Sequence, residues 1–348
     1  MRPADPSASA PPPAVSHWLL VVYALVAVMV CVGGITRLTG SGLSITEWKP
    51  IMGALPPMNE ADWQHAFDLY RATPQFEKMN HWMSLSDFKG IFFWEWFHRL
   101  LGRGIGVVFF VPWLVFTLKG HLRGRWARAT AIAFVLGGLQ GALGWFMVAS
   151  GLVDEPQVSH FRLAAHLTLA FVVGQYLLWL WLDLRRARTG ADPTPLDVGR
   201  PALWAFIGLL LLQIVYGAFM AGSRAGYLFQ SFPDMNGAYW LSSSDYLNDP
   251  AGIHFVHRTL GWVVGFAGLS LGWRLRGTGP GRVIAALTLL QFGLGVATVM
   301  TGVQLSIAVA HQLGAWALLS AAVWAVSRAR GPRVVGDLSA PASAPAGA

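Results

Sequence analysis

The run Ile91-Phe92-Phe93-Trp94-Glu95-Trp96-Phe97-His98-Arg99-Leu100-Leu101-Gly102-Arg103 places a carboxylate, an imidazole and two guanidinium groups at the start of a long apolar stretch. Ionisable groups at the edge of a hydrocarbon layer are costly, so they mark sites. Glu95 and His98 stand three residues apart and share one face of a helix. The same core returns in Ile253-His254-Phe255-Val256-His257-Arg258-Thr259-Leu260-Gly261-Trp262, again opening an apolar stretch. The competing reading of either stretch alone is an interfacial helix end whose arginines snorkel toward the headgroups.

Of the ten histidines, His98, His166, His257 and His311 occupy equivalent places, each about five to eight residues into an apolar span. All four lie in even-numbered spans, which share a direction. At about 1.5 Å per residue the imidazoles then share one depth, near the outer leaflet. Each half of the chain offers two imidazoles on two helices, and such a pair can hold a haem by two axial nitrogens. A lone membrane histidine is more often a packing residue; four at matched depth favour ligands. A zinc site would need three or four converging ligands, not separated pairs. Arg99 and Arg258 follow paired histidines and suit haem propionates in fork geometry, with snorkelling as the rival reading. Arg37, Arg103 and Arg224 share that ambiguity. Glycines such as Gly102, Gly144, Gly261 and Gly295 let helices, or a flat macrocycle, approach the backbone. The halves differ where Glu95 stands opposite His254 in the repeat. A buried carboxylate beside a redox macrocycle can act as a base, position a water or stabilise a cation. Substrate turnover is therefore expected in the first half, at Glu95, His98 and His166, and a resident cofactor in the second, at His257 and His311.

These residues need a membrane scaffold. The chain has 348 residues, 54% hydrophobic and 12% charged, far from an ordinary soluble domain. Its net charge of +8 does not point to nucleic acid, because the basic residues lie between apolar spans and not on one face. Cys31 is the only cysteine, which excludes an internal disulfide or a cysteine-based cluster; it reads as a small buried hydrophobe. Apolar spans at 18–36, 91–118, 129–149, 160–183, 202–222, 252–273, 283–303 and 306–327 predict eight transmembrane helices. The first is too long for a signal peptide and lacks a basic front. Between spans one and two lies a long outer segment, 37–90, in which Trp63, Phe67 and Tyr70 mark a short amphipathic helix. Lys119, Arg123, Arg125, Arg128, Arg185, Arg186, Arg188, Arg200, Arg274, Arg276, Arg282, Arg328, Arg330 and Arg333 lie on one side. Asp154, Glu155, Asp234, Asp245 and Asp249 lie on the other. The positive-inside rule puts both termini in the cytoplasm and the histidines toward the outer side.

The halves repeat. Leu139-Gln140 to Gly144 pairs with Leu290-Gln291 to Gly295, and Ala165-His166 with Ala310-His311. The expected fold is an all-α integral membrane protein of two four-helix bundles, related by a pseudo-twofold along the membrane normal. Its parts are a disordered tail at 1–17, a substrate half at 18–183, a linker at 184–200, a cofactor half at 201–328 and a second tail at 329–348.

The chain resembles the haem A synthases, in the branch shared by alphaproteobacteria and mitochondria. The resemblance covers about residues 18–327. It is carried by Gly33-Gly34-Ile35-Thr36-Arg37-Leu38-Thr39-Gly40-Ser41-Gly42-Leu43-Ser44, by Thr46-Glu47-Trp48-Lys49-Pro50, by Phe93 to Arg99 and by His257-Arg258-Thr259-Leu260-Gly261. It implies oxidation of the C8 methyl of haem O to a formyl group by successive hydroxylation, giving haem A for cytochrome oxidase. It further implies His98 and His166 flanking haem O, with Glu95 beside it, and His257 and His311 ligating a haem b. Some bacterial relatives carry a cysteine pair in an outer loop; this chain has none, so a mechanism needing that disulfide cannot operate here.

The rival readings are a membrane b-type cytochrome that only passes electrons, for instance with quinone, and a haem transporter. A haem-farnesylating enzyme is discounted, because no aspartate-rich pairs for magnesium sit in or beside the spans. The expected partners are haem O, the lipid bilayer and, on the resemblance, a haem O synthase and cytochrome oxidase assembly factors. A homo-oligomer is compatible with the sequence, no nucleic acid is expected, and the electron acceptor is not readable. The expected location is the bacterial inner membrane.

Overall fold

The computed structural model describes residues 10–47, 52–149, 158–189, 196 and 198–329. The tails before 10 and after 329, Trp48-Lys49-Pro50, Asp154, Glu155 and residues 190–195 and 197 of the linker lie outside the described residues, while 184–189, expected in the linker, continue α5. Among the described residues there are nine α-helices and no strand beyond two isolated bridges, Leu196 with Ala329 and Met235 with Ala238. The helices are α1 (Pro13–Leu38), α2 (Glu60–Arg71), α3 (Leu85–Leu118), α4 (Gly124–Ala149), α5 (His160–Thr189), α6 (Arg200–Ser223), α7 (Pro250–Arg274), α8 (Gly279–Met300) and α9 (Leu305–Arg328).

Local chemistry sets where they begin. Proline stands in the first turn of α1, α6, α7 and α8, where its missing N–H costs nothing. α1 thus starts at Pro13, ahead of the apolar span, and residues 13–17 are helical instead of belonging to a tail. α3 starts six residues before its apolar span, because Ser84 and Asp87 form a reciprocal cap: Asp87 Oδ2 accepts from the Ser84 backbone at 3.0 Å. Asn59 caps α2 by accepting from the Asp62 backbone at 2.9 Å. Asp249 caps α7 through the Ala251 and Gly252 backbones at 3.1 and 3.3 Å.

Seven helices, α1, α3, α4, α5, α6, α8 and α9, are long and apolar enough to cross a membrane. α7, at 25 residues, matches them in length but is not among them; His254, His257 and Arg258 sit in its first half. Many large apolar side chains on these helices face outward, among them Val107, Phe110, Val111 and Leu114 on α3 and Phe266 and Trp273 on α7. A lipid environment, not water, makes such a surface stable.

The long helices form two closed rings of neighbours. α1, α3, α4 and α5 pack in sequence, with α5 returning to α1; α6, α7, α8 and α9 do the same, with α9 returning to α6. The rings meet through α1 and α5 on one side and α6 and α9 on the other. The core at this junction includes Phe171, Leu177, Leu184, Leu203, Trp316 and Leu319, each at most 4% exposed. Trp316 donates to Tyr23 at 3.0 Å, and Gln312 donates to the Val30 carbonyl at 2.8 Å, tying α9 to α1.

The outer segment has its own small core. α2 lays Phe67 and Tyr70 on Phe88 and Phe92 at the start of α3, with Tyr70 stacked on Phe88 at 5.2 Å. Tyr70 is fully buried, and that burial raises its phenol pKa above the usual tyrosine value. It donates to Gln75, whose amide donates to the Gly40 carbonyl at 3.1 Å. The segment after α1 is thereby fastened to α2. Gly40 ends α1 at φ +68°, a turn that L side chains resist.

Candidate functional site

The four repeated histidines share one local geometry. Each imidazole packs against a glycine on the long helix that precedes its own in the chain. A Cβ on Gly33 of α1 would stand 3.3 Å from Nε2 of His98 on α3. One on Gly144 of α4 would stand 3.0 Å from Cε1 of His166 on α5. The second half repeats this, with Gly217 of α6 3.3 Å from Cε1 of His257 on α7 and Gly295 of α8 3.0 Å from Cε1 of His311 on α9. Any side chain at these glycines would push its imidazole aside, so the glycines serve close packing against the ring and not backbone freedom. His98 and His166 lie within electrostatic range of each other, as do His257 and His311. The two pairs read from the sequence are thus brought together.

Glutamines orient two of the rings. Gln140 Nε2 donates to the backbone carbonyl of His166 at 3.1 Å and lies 3.2 Å from its Nδ1. Gln213 Nε2 donates to the carbonyl of His257 at 3.0 Å and lies 3.3 Å from its Nδ1. Gln213 and Gly217 were not among the residues singled out from the sequence. The signal was present: Gln-x-x-x-Gly occurs at 140–144, 213–217 and 291–295.

Glu95 and Arg99 hold the outer segment. The Glu95 carboxylate is 3% exposed and accepts from Ser44 Oγ at 2.7 Å, from the Ile45 backbone at 2.8 Å and from Arg99 at 2.5 Å. Arg99 also donates to the Ile45 carbonyl at 2.9 Å. The second half builds the matching clamp with different chemistry. His254 is fully buried, with Nδ1 2.9 Å from the Ala225 carbonyl, and accepts from Arg258 at 2.9 Å. Arg258 donates onward to the carbonyls of Asp234 at 2.6 Å and Phe229 at 3.1 Å. The Glu95/His254 difference therefore falls between two residues that each tie down the chain leaving the preceding helix. Arg37 donates to the Ala221 and Gly222 carbonyls, joining α1 to α6. Of the remaining histidines, His160 meets the Leu247 carbonyl at 2.9 Å, and His17, His65, His81 and His121 are exposed.

A cavity of about 870 Å³ opens between the halves on the His257/His311 side. His257, His311, Arg258 and Gln213 line it, together with Arg37 of α1 and Met79 and Trp82 of the outer segment. This volume lies within the range of cofactor pockets. Two imidazoles from different helices, each with a glycine against its ring and both lining one cavity, suit a bis-histidine haem.

The family model for COX15-CtaA, cytochrome oxidase assembly protein, matches residues 16–323. The chain belongs to this family. It is 45% identical over 341 residues to a heme A synthase of Rhodospirillum centenum, covering 93% of this chain and 90% of that protein. It is 44% identical to the heme A synthase of Rhizorhabdus wittichii, covering 93% and 96% of the two chains. It is also 44% identical to that of Maricaulis maris, covering 91% and 97%.

Proposed function

We propose that this protein is a haem A synthase: an oxidoreductase that converts the C8 methyl of haem O to a formyl group by successive hydroxylation and loss of water, giving haem A for cytochrome oxidase. The observation that carries the reading is the doubled imidazole–glycine pair, found in a chain that matches heme A synthases over 93% of its length. Neither electron transfer alone nor haem transport is favoured by those relatives.

The protein is a multi-pass protein of the bacterial inner membrane, with α7 as an eighth span completing the second ring. The substrate half runs from the start of α1 at Pro13 to the end of α5 at Thr189, the cofactor half from the start of α6 at Arg200 to Arg328, with the linker between them and tails on either side. The halves are related by a pseudo-twofold that carries α1, α3, α4 and α5 onto α6, α7, α8 and α9. Supporting this are the two rings of neighbours and the repeated glycine contacts. The arginines at the C-terminal ends of α5, α7 and α9 support cytoplasmic termini and haem sites toward the outer side.

His98 and His166 flank haem O. Glu95 stands one turn before His98, and its three donors fix the carboxylate where it can stabilise positive charge developing on the substrate. The same bonds fasten residues 44–45 against α3. His257 and His311 hold a haem b, which supplies electron transfer when bound. Arg258 in the cavity wall, and Arg99 at the matching place, give the propionates a cationic edge. A haem O synthase, oxidase assembly factors and an electron acceptor are the further partners, and a homo-oligomer is compatible with this arrangement.

The test is extraction of total haem from membranes expressing the protein with a haem O supply, separated by chromatography. A peak of haem A or its hydroxylated precursor is expected, and it should vanish in His98→Ala while haem b stays. Unchanged haem O in the folded, haem-loaded wild type would overturn the assignment.

A further inference from the structure

The two halves differ along one seam. By the repeat, α3 and α4 stand where α7 and α8 do, in register at His98 with His257 and at Gln140 with Gln291. α7 and α8 touch backbone to backbone. A Cβ on Gly272 would stand 2.7 Å from Cβ of Ala285 and 3.0 Å from its backbone nitrogen, and one on Gly268 would overlap Thr288. Phe292 of α8 fills the next stretch, 3.5 Å from a Cβ on Gly265 and with its ring centroid 4.7 Å from that of Trp262. The first half has other residues at these places. Trp113 and Phe134 replace Gly272 and Ala285, and their rings stack with centroids 5.3 Å apart. Helix spacing follows the side chains at the contact, so this pair stands α3 off from α4 where glycine and alanine let α7 meet α8. Gly137 and Gly141 replace Thr288 and Phe292. No side chain and no neighbouring helix among the described residues comes within 4 Å of a Cβ placed on Gly106, Gly137 or Gly141, and all three glycines are exposed. Arg103 replaces Trp262, with its guanidinium within electrostatic range of Arg99, toward the outer end of α3.

The resulting groove starts at the histidines. Gly141 and Gly137 lie about one and two turns along α4 from Gly144, which packs against the ring of His166, and Gly106 lies about two turns along α3 from His98. α3 and α5 are opposite corners of their four-helix ring, so a flat macrocycle held between His98 and His166 turns an edge to α4, which lies away from the junction of the halves. Haem O differs from haem b in carrying a hydroxyethylfarnesyl chain in place of a vinyl group. We propose that the groove between α3 and α4 seats that chain, and that Gly106 and Gly141 are the specificity residues that keep it open. Phe292 and Trp262 fill the same seam in the second half, which therefore takes a haem without a chain. The selection is steric. Lipid is as apolar as the groove, so the chain gains little by entering it. What the first half offers is room, and what the second half presents is a clash. This rests on the reading of His98 and His166 as the substrate pair, and it identifies the residues that tell the two haems apart.

The experiment is spectral titration of the purified, haem b-loaded protein with haem O and with chain-free iron protoporphyrin IX, reading the site that is lost in His98→Ala. Gly141→Phe and, from the other wall, Gly106→Phe each place a ring in the seam. Each should weaken haem O binding about tenfold or more, the cost of overfilling a packed space, and leave protoporphyrin binding within about twofold of the wild type. Gly141→Ala, whose methyl meets nothing within 4 Å, should change neither. Damage to the fold weakens both porphyrins together, whereas a blocked chain weakens one. The proposal falls if either phenylalanine variant binds haem O as the wild type does, or if both variants weaken the two porphyrins equally. Haem O binding that survives His98→Ala and is lost in His311→Ala would instead overturn the assignment of substrate and cofactor halves, whatever Gly141 does.

Discussion

Replacing Glu95 by Ala should release the segment that follows α1. The carboxylate is 3% exposed and takes three hydrogen bonds, two of them from Ser44 and Ile45, some fifty residues earlier in the chain. Alanine leaves the Ile45 N–H without its acceptor and the Arg99 guanidinium, 14% exposed, without its counter-charge. Breaking a buried pair by removing one partner costs ~3–5 kcal/mol. Arg99 retains the carbonyls of Ile45 and Glu47 as acceptors, which favours the lower end, on the order of 3 kcal/mol. At about 1.4 kcal/mol per tenfold, that is roughly a hundredfold rise in the opening equilibrium of the segment. Hydrogen exchange reads this directly. The Ser44 amide is the best reporter, since it bonds to the Ser41 carbonyl at 3.2 Å and not to Glu95 itself. Its exchange should rise about a hundredfold in Glu95→Ala and about tenfold in Glu95→Gln, which keeps an acceptor but loses the charge. Amides in α8 and α9 should be unaffected. Unchanged exchange at Ser44 would show that Gln75 and the aromatic core of α2 hold the segment alone, and the clamp argument would be wrong.

The glycines beside the rings give a second test. Gly295→Ala places a methyl 3.0 Å from Cε1 of His311, so haem b content should fall with haem O binding retained, while Gly144→Ala should do the reverse through His166; equal loss of both haems in either variant, seen by pyridine haemochrome spectra, would contradict two independent sites. The third concerns pH. The Ser243 hydroxyl, then the Ala251 N–H, hold the Asp249 carboxyl below its usual pKa. A depressed folded value means that its stabilisation of α7 is present above the ordinary aspartate pKa and is lost as pH falls through the depressed one. Thermal stability in detergent should decline across that acid window, and less steeply in Asp249→Asn, which caps without titrating; identical profiles would exclude Asp249 as a contributor.

The sequence by itself determined the apolar helices and singled out the paired histidines as candidates. Apolar length fixes a membrane span because an exposed backbone cannot survive in hydrocarbon, and that physics is local to each stretch. The four histidines were legible because the His-containing runs repeat between the halves, and the glycines packed against them follow the same repeat, although Gln213 and Gly217 were passed over. Only the tertiary structure decided what Glu95 and His254 touch. Their partners, Ser44, Ile45 and Ala225, lie far off in the chain, in segments without periodicity. Such pairings arise when packing leaves a buried polar group one available partner, and residue spacing carries no trace of that choice. The cavity is of the same kind: α1, the outer segment and the second half wall it together, and their meeting is a property of how the two rings pack.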